Sequence, residues 1–355
     1  MVIEHSSQHF IEIEKKLSQF TESLKQIREE NEFNEADLNT LKIQLKKLAE
    51  ELDEPPNIKI EYDSASFIDK ISILMSPVMG NIYVSATWKQ NGMTVAGGNG
   101  PGNATNQLAT PMGLFVDDDN HMLVIADRAN DRIIQWKIGD TNGQVVAGGN
   151  GYGTGLNQGA FGQIVRWSRR SGTKQGEVLT DKAQGFGLAM DDQRYLYVSS
   201  FDAVRRYQLG RNTNNGTLVA GGNGEGSGLN QLQRPFYIFV DRQQAVYISD
   251  NENHRVMKWE KSAKEGIVIA GGQGPGDSLT QLSSPRGIFI DHFGTLYVVE
   301  AGNNRVTRWP QGAKQGTVIV GNDAKLSAPE GLSFDHQGNF YVTDCDNHRV
   351  QRFSA

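Results

Sequence analysis

Four stretches of the chain set a carboxylate, an asparagine and an arginine at one spacing: Asp127, Asn130 and Arg132; Asp250, Asn253 and Arg255; Glu300, Asn303 and Arg305; Asp344, Asn347 and Arg349. An acid beside a base at this separation could transfer protons or hold an anion. Its return in four copies points elsewhere, because a residue that recurs at one place in every unit builds the unit. The triplets are therefore read as internal ion pairs and turn caps, whose loss loosens the units.

The other chemical signals meet the same objection. Gly97-Gly98-Asn99-Gly100, Gly148-Gly149-Asn150-Gly151, Gly221-Gly222-Asn223-Gly224 and Gly271-Gly272-Gln273-Gly274 resemble phosphate loops in composition, but each leads into a strand, whereas a phosphate loop opens a helix. His254 and His348 share one repeat position, and His292 and His336 another. Each set offers two ligands where a catalytic zinc commonly takes three, so they are read as exposed turn histidines. Trp136, Trp167, Trp259 and Trp309 share a position with Tyr207 and Phe353, which suits packing between units. Cys345, the one cysteine, lies in a turn and excludes an intrachain disulfide. No catalytic residue, metal or cofactor is expected.

The elements that carry these residues are short strands. Pro285 to Asp291, Leu296 to Glu300, Arg305 to Trp309 and Thr317 to Gly321 are runs of β-formers bounded by Gly, Asn or Asp. Four such strands in about 50 residues, repeated, describe the blades of a β-propeller. The Asp that closes each first strand falls at Asp117, Asp191, Asp241, Asp291 and Asp335, and the 74-residue step from the first to the second exceeds the later steps of 50, 50 and 44. Near residues 157–163 the chain passes from an inter-blade loop directly to a third strand. Six outer strands and six third strands are counted, so the fold expected is a six-bladed propeller with one incomplete blade. The N-terminal outer strand near Thr94 to Ala96 pairs with the final strand to close the ring.

Residues 1–54 read differently. Phe10, Ile13, Leu17, Phe20, Leu24 and Ile27, then Leu38, Leu41, Leu45, Leu48 and Leu52, hold heptad a and d positions around a polar middle of Asn31 and Asn34. An α-helical coiled coil that self-associates through residues 10–52 is expected, ended by Pro55 and Pro56. Residues 55–92 form a linker with short strands, and 93–355 the propeller. This first segment holds 13 acidic and 7 basic side chains against 28 and 28 in the remainder, so the net charge of -6 resides there. The body shows no overall basic footprint for nucleic acid. Neither a membrane span nor a secretory signal is visible, and a cytoplasmic location is expected.

The motifs Pro-x-Gly-Ile-x-Ile-Asp, Leu-Tyr-Val-x-Asp and Asn-His-Arg-Val resemble NHL repeats across residues 93–355. The heptads followed by Phe33 to Leu38 and Pro55 to Ile58 resemble the coil of tripartite-motif proteins that carry an NHL propeller, without the cysteines of a RING finger or B-box. That resemblance implies a non-enzymatic scaffold or substrate-recognition protein in a ubiquitin-linked pathway, binding protein partners on its loop face. RNA binding is the first alternative, through arginines around Arg205, Arg206 and Arg211. A metal-dependent propeller lyase of the peptide-amidating type is the second. Where the copies differ, in the loop after each second strand, binding residues are sought: Arg128, Phe201, Arg205, Arg206, Asn251, Glu252 and Asp346.

Overall fold

The computed structural model describes residues 59–60, 73–74, 87–117, 121–149, 164–166, 177–180, 185–208, 216–291, 293–321 and 324–355. The chain divides into two compact units, Met1–Val78 and Met79–Ala355. In the first, β1 (Lys59–Ile60) pairs antiparallel with β2 (Ile73–Leu74), Lys59 opposite Leu74. The predicted coiled coil, and the self-association assigned to residues 10–52, lie outside the described residues.

The described residues of the second unit build five four-stranded antiparallel sheets. Blade 1 comprises β4 (Pro111–Asp117), β5 (Met122–Asp127), β6 (Arg132–Lys137) and β7 (Gln144–Gly148). Blade 2 holds β10 (Leu188–Met190), β11 (Tyr195–Ser199), β12 (Ala203–Gln208) and β13 (Thr217–Gly221). Blade 3 runs β14 (Pro235–Val240), β15 (Val246–Asp250), β16 (Arg255–Trp259) and β17 (Ile267–Gly271). Blade 4 runs β18 (Pro285–Ile290), β19 (Leu296–Glu300), β20 (Arg305–Trp309) and β21 (Thr317–Val320). Blade 5 takes β22 (Pro329–Phe334), β23 (Phe340–Asp344) and β24 (Arg349–Phe353), and its fourth strand is β3 (Met93–Gly97) from the other end of the unit. Innermost strands neighbour one another in the order β10, β14, β18, β22, β4.

The expectation of six blades is corrected to five. The strands counted toward a sixth, β8 (Ile164–Arg166) and β9 (Glu177–Thr180), form a two-stranded sheet of their own. A blade needs an inner pair to line the axis, and among the described residues there are five inner strands, one for each closing Asp. The α-helical part of the expected fold also finds no counterpart among the described residues, whose helical turns are the 3-10 turns Arg128–Asn130 and Asn251–Asn253.

Apolar clusters fill the joints between consecutive blades. Between blades 4 and 5, Val306, Ile319, Leu332, Phe334 and Phe353 enclose Trp88, whose ring meets Tyr297 and Phe340 edge-on at 6.0 and 5.6 Å. Trp88 lies upstream of the predicted propeller start and donates its indole N–H to Gly338 O at 2.9 Å. Trp136, Trp259 and Trp309 are buried at the ends of third strands. Gly266 lies flat on Trp259, where an added Cβ would come within 2.5 Å of the ring.

The half-sheet β8–β9 packs Ile164 and Leu179 on Leu196, Val198 and Tyr207 of blade 2. The faces that a complete neighbour would cover are exposed. Leu188 and Met190 on β10 are each 55% accessible and Phe115 on β4 is 58% accessible. Their equivalents in complete joints, Ile288 and Ile290 on β18, are buried, and Phe289 packs on Phe334 with ring centroids 4.4 Å apart.

Candidate functional site

The repeated triplets lie at the end of each second strand. Asp127 is fully buried, accepts Arg132 Nε at 2.7 Å and Asn130 Nδ2 at 2.7 Å, and takes the backbone N–H of Ala109 on its other oxygen at 2.7 Å. Arg132 then reaches back to the carbonyls of Asn103, Ala104 and Gln107. Asp250 with Asn253 and Arg255, Glu300 with Asn303 and Arg305, and Asp344 with Asn347 and Arg349 repeat the arrangement. Each carboxylate thus fastens the loop entering its blade.

His254 and His348 are half-buried acceptors rather than exposed residues, whereas His336 is exposed as expected and His292 lies outside the described residues. His254 and His348 stand at φ 51° and 53°, in the left-handed region. Their Nδ1 atoms accept the backbone N–H of Ser284 and Thr110, at 3.1 and 3.2 Å, in the following blade. Asn304 fills the same place in blade 4, its Oδ1 accepting Ala328 N at 2.9 Å.

Three inner strands open with Pro-x-Gly, at Pro111, Pro285 and Pro329, while blade 3 has Pro235-Phe236-Tyr237 and blade 2 Gly185-Phe186-Gly187 at the same place. Pairing shifts register there in four blades, between Pro111 and Leu114, Pro235 and Ile238, Pro285 and Ile288, and Pro329 and Leu332. A bulge of this kind re-aims side chains. The backbone N–H groups it frees are taken by hydroxyls of the second strand: Tyr237 N donates to Ser249 Oγ at 2.8 Å, and Gly331 N to Thr343 Oγ1 at 2.6 Å. The glycine after x admits the next blade. A Cβ on Gly287 would lie 2.6 Å from Glu330 O, and one on Gly331 2.4 Å from Met112 O.

The x positions are where the blades differ: Met112, Phe186, Phe236, Arg286 and Glu330. From Phe186 to Glu330 these side chains touch in succession. Phe186 meets Phe236 at 4.9 Å, the Arg286 guanidinium stands 3.8 Å over the Phe236 ring, and Arg286 Nε lies 3.5 Å from Glu330 Oε1. Phe201, in the loop after β11, adds an edge-on contact to Phe186 at 5.2 Å. An aromatic arc of Phe186, Phe201 and Phe236 therefore adjoins a charged arc of Arg286 and Glu330, with Arg128, Cys345 and Asp346 beside it.

In blade 3 the glycine is replaced by Tyr237. Its hydroxyl donates to Met112 O at 3.1 Å, reaching from blade 3 to blade 1. Blades 1 and 3 are not neighbours, so Tyr237 crosses the centre and joins the arc in one central cluster, the cup. Burial, and then the nearby Glu330 carboxylate, raise the Tyr237 hydroxyl far above its ordinary range, so it stays protonated.

Glu330 is 7% exposed, and burial pushes it up to about 7 against the pull of Arg286 and Arg128. The contact with Arg286 is within ion-pair range but is not a hydrogen bond. Arg286 Nε and Nη1 and Glu330 Oε2 are buried without hydrogen-bond partners among the described residues. Burial, then Glu330 and Asp346, push Cys345 up to about 11, which keeps it a thiol at neutral pH and a poor nucleophile.

Of the seven residues assigned to binding from sequence, Arg128, Phe201 and Asp346 fall at this cup. Asp346 also accepts Ser327 Oγ at 3.3 Å. Glu252 lies 3.8 Å from Arg234 at the surface of blade 3. Asn251 is buried and donates to Pro285 O at 3.1 Å, joining two blades. Arg205 and Arg206 lie along β12, Arg205 donating to Gly216 O at 3.0 Å and Arg206 standing 4.6 Å over Tyr195. Sequence reasoning missed Phe186, Phe236, Tyr237, Arg286 and Glu330, although the variable x of Pro-x-Gly and the lone Tyr at the glycine were signals within the repeat. Among the described residues no group of three His, Cys, Asp or Glu side chains converges to hold a metal.

The fold and this face define a β-propeller, and the NHL repeat family matches residues 326–353, which span most of blade 5. The resemblance to tripartite-motif proteins rests on residues 1–58, which lie outside the described residues. No curated protein matches the chain. Among solved structures it is similar to a structural genomics protein of unknown function from Bacteroides thetaiotaomicron VPI-5482, with TM-score 0.61, 16% identity and coverage of 75% of this chain and 76% of that one. An auxiliary nutrient binding protein from the same organism gives TM-score 0.57, 15% identity and 78% coverage of each chain. A second auxiliary nutrient binding protein, from Bacteroides ovatus ATCC 8483, gives TM-score 0.52 and 15% identity over 78% of this chain and 75% of that chain. At these identities the likeness is one of fold. Among the described residues no helix is long and apolar enough to cross a membrane.

Proposed function

We propose that the propeller is a non-enzymatic recognition module that binds a protein partner on the face carrying the cup. The observation that supports this most directly is the continuous run Phe201, Phe186, Phe236, Arg286, Glu330, in which each side chain touches the next although four blades supply them. Aromatic residues and arginine set on a rigid frame are the usual anchors of protein interfaces. Phe186 and Phe201 are exposed at 42% and 39%, which fits residues awaiting a partner better than residues completing a core. The single cysteine suits a reducing, cytosolic setting.

The RNA-binding alternative drew on Arg205 and Arg206, and their places along β12 give it less support than the cup gives to protein binding. Affinity capture compares the unaltered chain with Phe186→Ala/Phe201→Ala and with Ile267→Ala, a change of exposed apolar surface on the outer strand of blade 3. Partners lost with the first and kept with the second support the reading. Partners retained by both variants would remove it.

A further inference from the structure

We infer that the cup receives a primary carboxamide, such as the side chain of an Asn or Gln on the partner, with its carbonyl on Arg286 and its NH2 group on Glu330. The inference rests on the proposed binding face and names the chemistry of its centre. Its basis is the trio of buried atoms without hydrogen-bond partners, Arg286 Nε and Nη1 as donors and Glu330 Oε2 as acceptor. Leaving such groups unmade in a buried site is costly, so the site is built for something that completes them.

Three classes of group can be compared. A carboxylate would satisfy Arg286 but set its charge against Glu330 and Asp346. An ammonium would satisfy Glu330 but meet Arg286 and Arg128, and the face of Phe236 is already occupied by the Arg286 guanidinium at 3.8 Å. A primary carboxamide presents an acceptor and a donor side by side and adds no charge. Arg286 and Glu330 stand side by side in the same way, 3.5 Å apart. The adjoining Phe186 and Phe201 rings supply apolar contact for whatever carries the amide.

The test uses the full chain at pH 8, where Glu330 is ionised, and three probes of nearly one shape: benzamide, benzoate and benzylammonium. Binding is read from ligand-observed NMR titration. Benzamide is expected to bind tighter than either charged probe by about ten-fold or more, because each charged probe leaves one buried group unpaired. Arg286→Met/Glu330→Leu, which removes both charges together, should weaken benzamide by about ten-fold while leaving the fold intact. Glu330→Gln should bring benzoate up to or beyond benzamide, a reversal that loss of folding cannot imitate. Equal binding of the three probes, no benzamide binding at millimolar concentration, or no gain of benzoate in Glu330→Gln would each overturn the inference. If the probes fail while capture still depends on Phe186 and Phe201, the carboxamide is wrong and the binding face stands. If benzamide binds while capture ignores Phe186 and Phe201, the carboxamide site stands and the binding face is wrong.

Discussion

Glu330→Gln keeps the size of the side chain and removes its charge, and its effect on folding stability should depend on pH in one direction. Burial holds Glu330 at about 7, above the ordinary 4.5, even with Arg286 and Arg128 drawing it down. A carboxyl with a raised value in the fold binds its proton more tightly there than in the unfolded chain. Its contribution to stability is full below 4.5 and is lost as pH rises through about 7. At about 1.36 kcal/mol per pH unit, the interval from 4.5 to about 7 is worth ~3 kcal/mol. Gln imitates the protonated form at every pH, so the variant should gain on the unaltered protein by about 2 to 3 kcal/mol between pH 5 and pH 8. Urea unfolding of both proteins at half-unit pH steps measures this, and titrations common to the two cancel in the difference. A difference that stays flat, or that shrinks as pH rises, would refute the account of Glu330 as a carboxylate ionised against its surroundings.

Tyr237→Phe removes the bond to Met112 O, a carbonyl that still accepts Thr343 Oγ1 at 2.8 Å, so urea unfolding should show a loss of only about 1 kcal/mol. His348→Asn should stay within about 0.5 kcal/mol of the unaltered chain because Asn304 already makes the equivalent bond, whereas His348→Leu should cost about 1 to 3 kcal/mol by stranding Thr110 N; thermal unfolding separates the two. Phe115→Ser, at an exposed site, should cost less than about 0.5 kcal/mol, while Phe289→Ser, at the equivalent position inside a complete joint, should cost about 3 kcal/mol or more in the same assay.

The strands were legible because β-formers bounded by Gly and Asn recur with the same turn chemistry, and a ladder is a local consequence of such runs. The blade count was not, because outer and third strands were counted where the inner strands define a blade, and β8 and β9 supply the former without the latter. The cup was harder still. Each blade gives it only a few side chains, so no stretch of sequence looks unusual; Arg286 and Glu330 are 44 residues apart and meet only because the bulged starts of β18 and β22 point them toward each other. The loops after the second strands yielded Phe201, Arg128 and Asp346 by their variability, but variability alone could not separate them from Asn251, which is buried as a tie between blades. His254 was misread for a similar reason, since an acceptor role toward a residue 30 positions later leaves no local trace.

The pairing of β3 with β24 sets a timetable for the molecule. Val350 lies opposite Ala96, so β3 leaves the ribosome about 250 residues ahead of its ladder partner. Throughout that interval β3 lacks its ladder partner, and blade 5 cannot be completed until β24 is made. Blades 1, 2, 3 and 4 draw their four strands from consecutive sequence and can assemble as they emerge. The propeller is therefore a structure most of which can form during synthesis while β3 waits for β24, which makes β24 the strand that decides whether the fifth blade is completed.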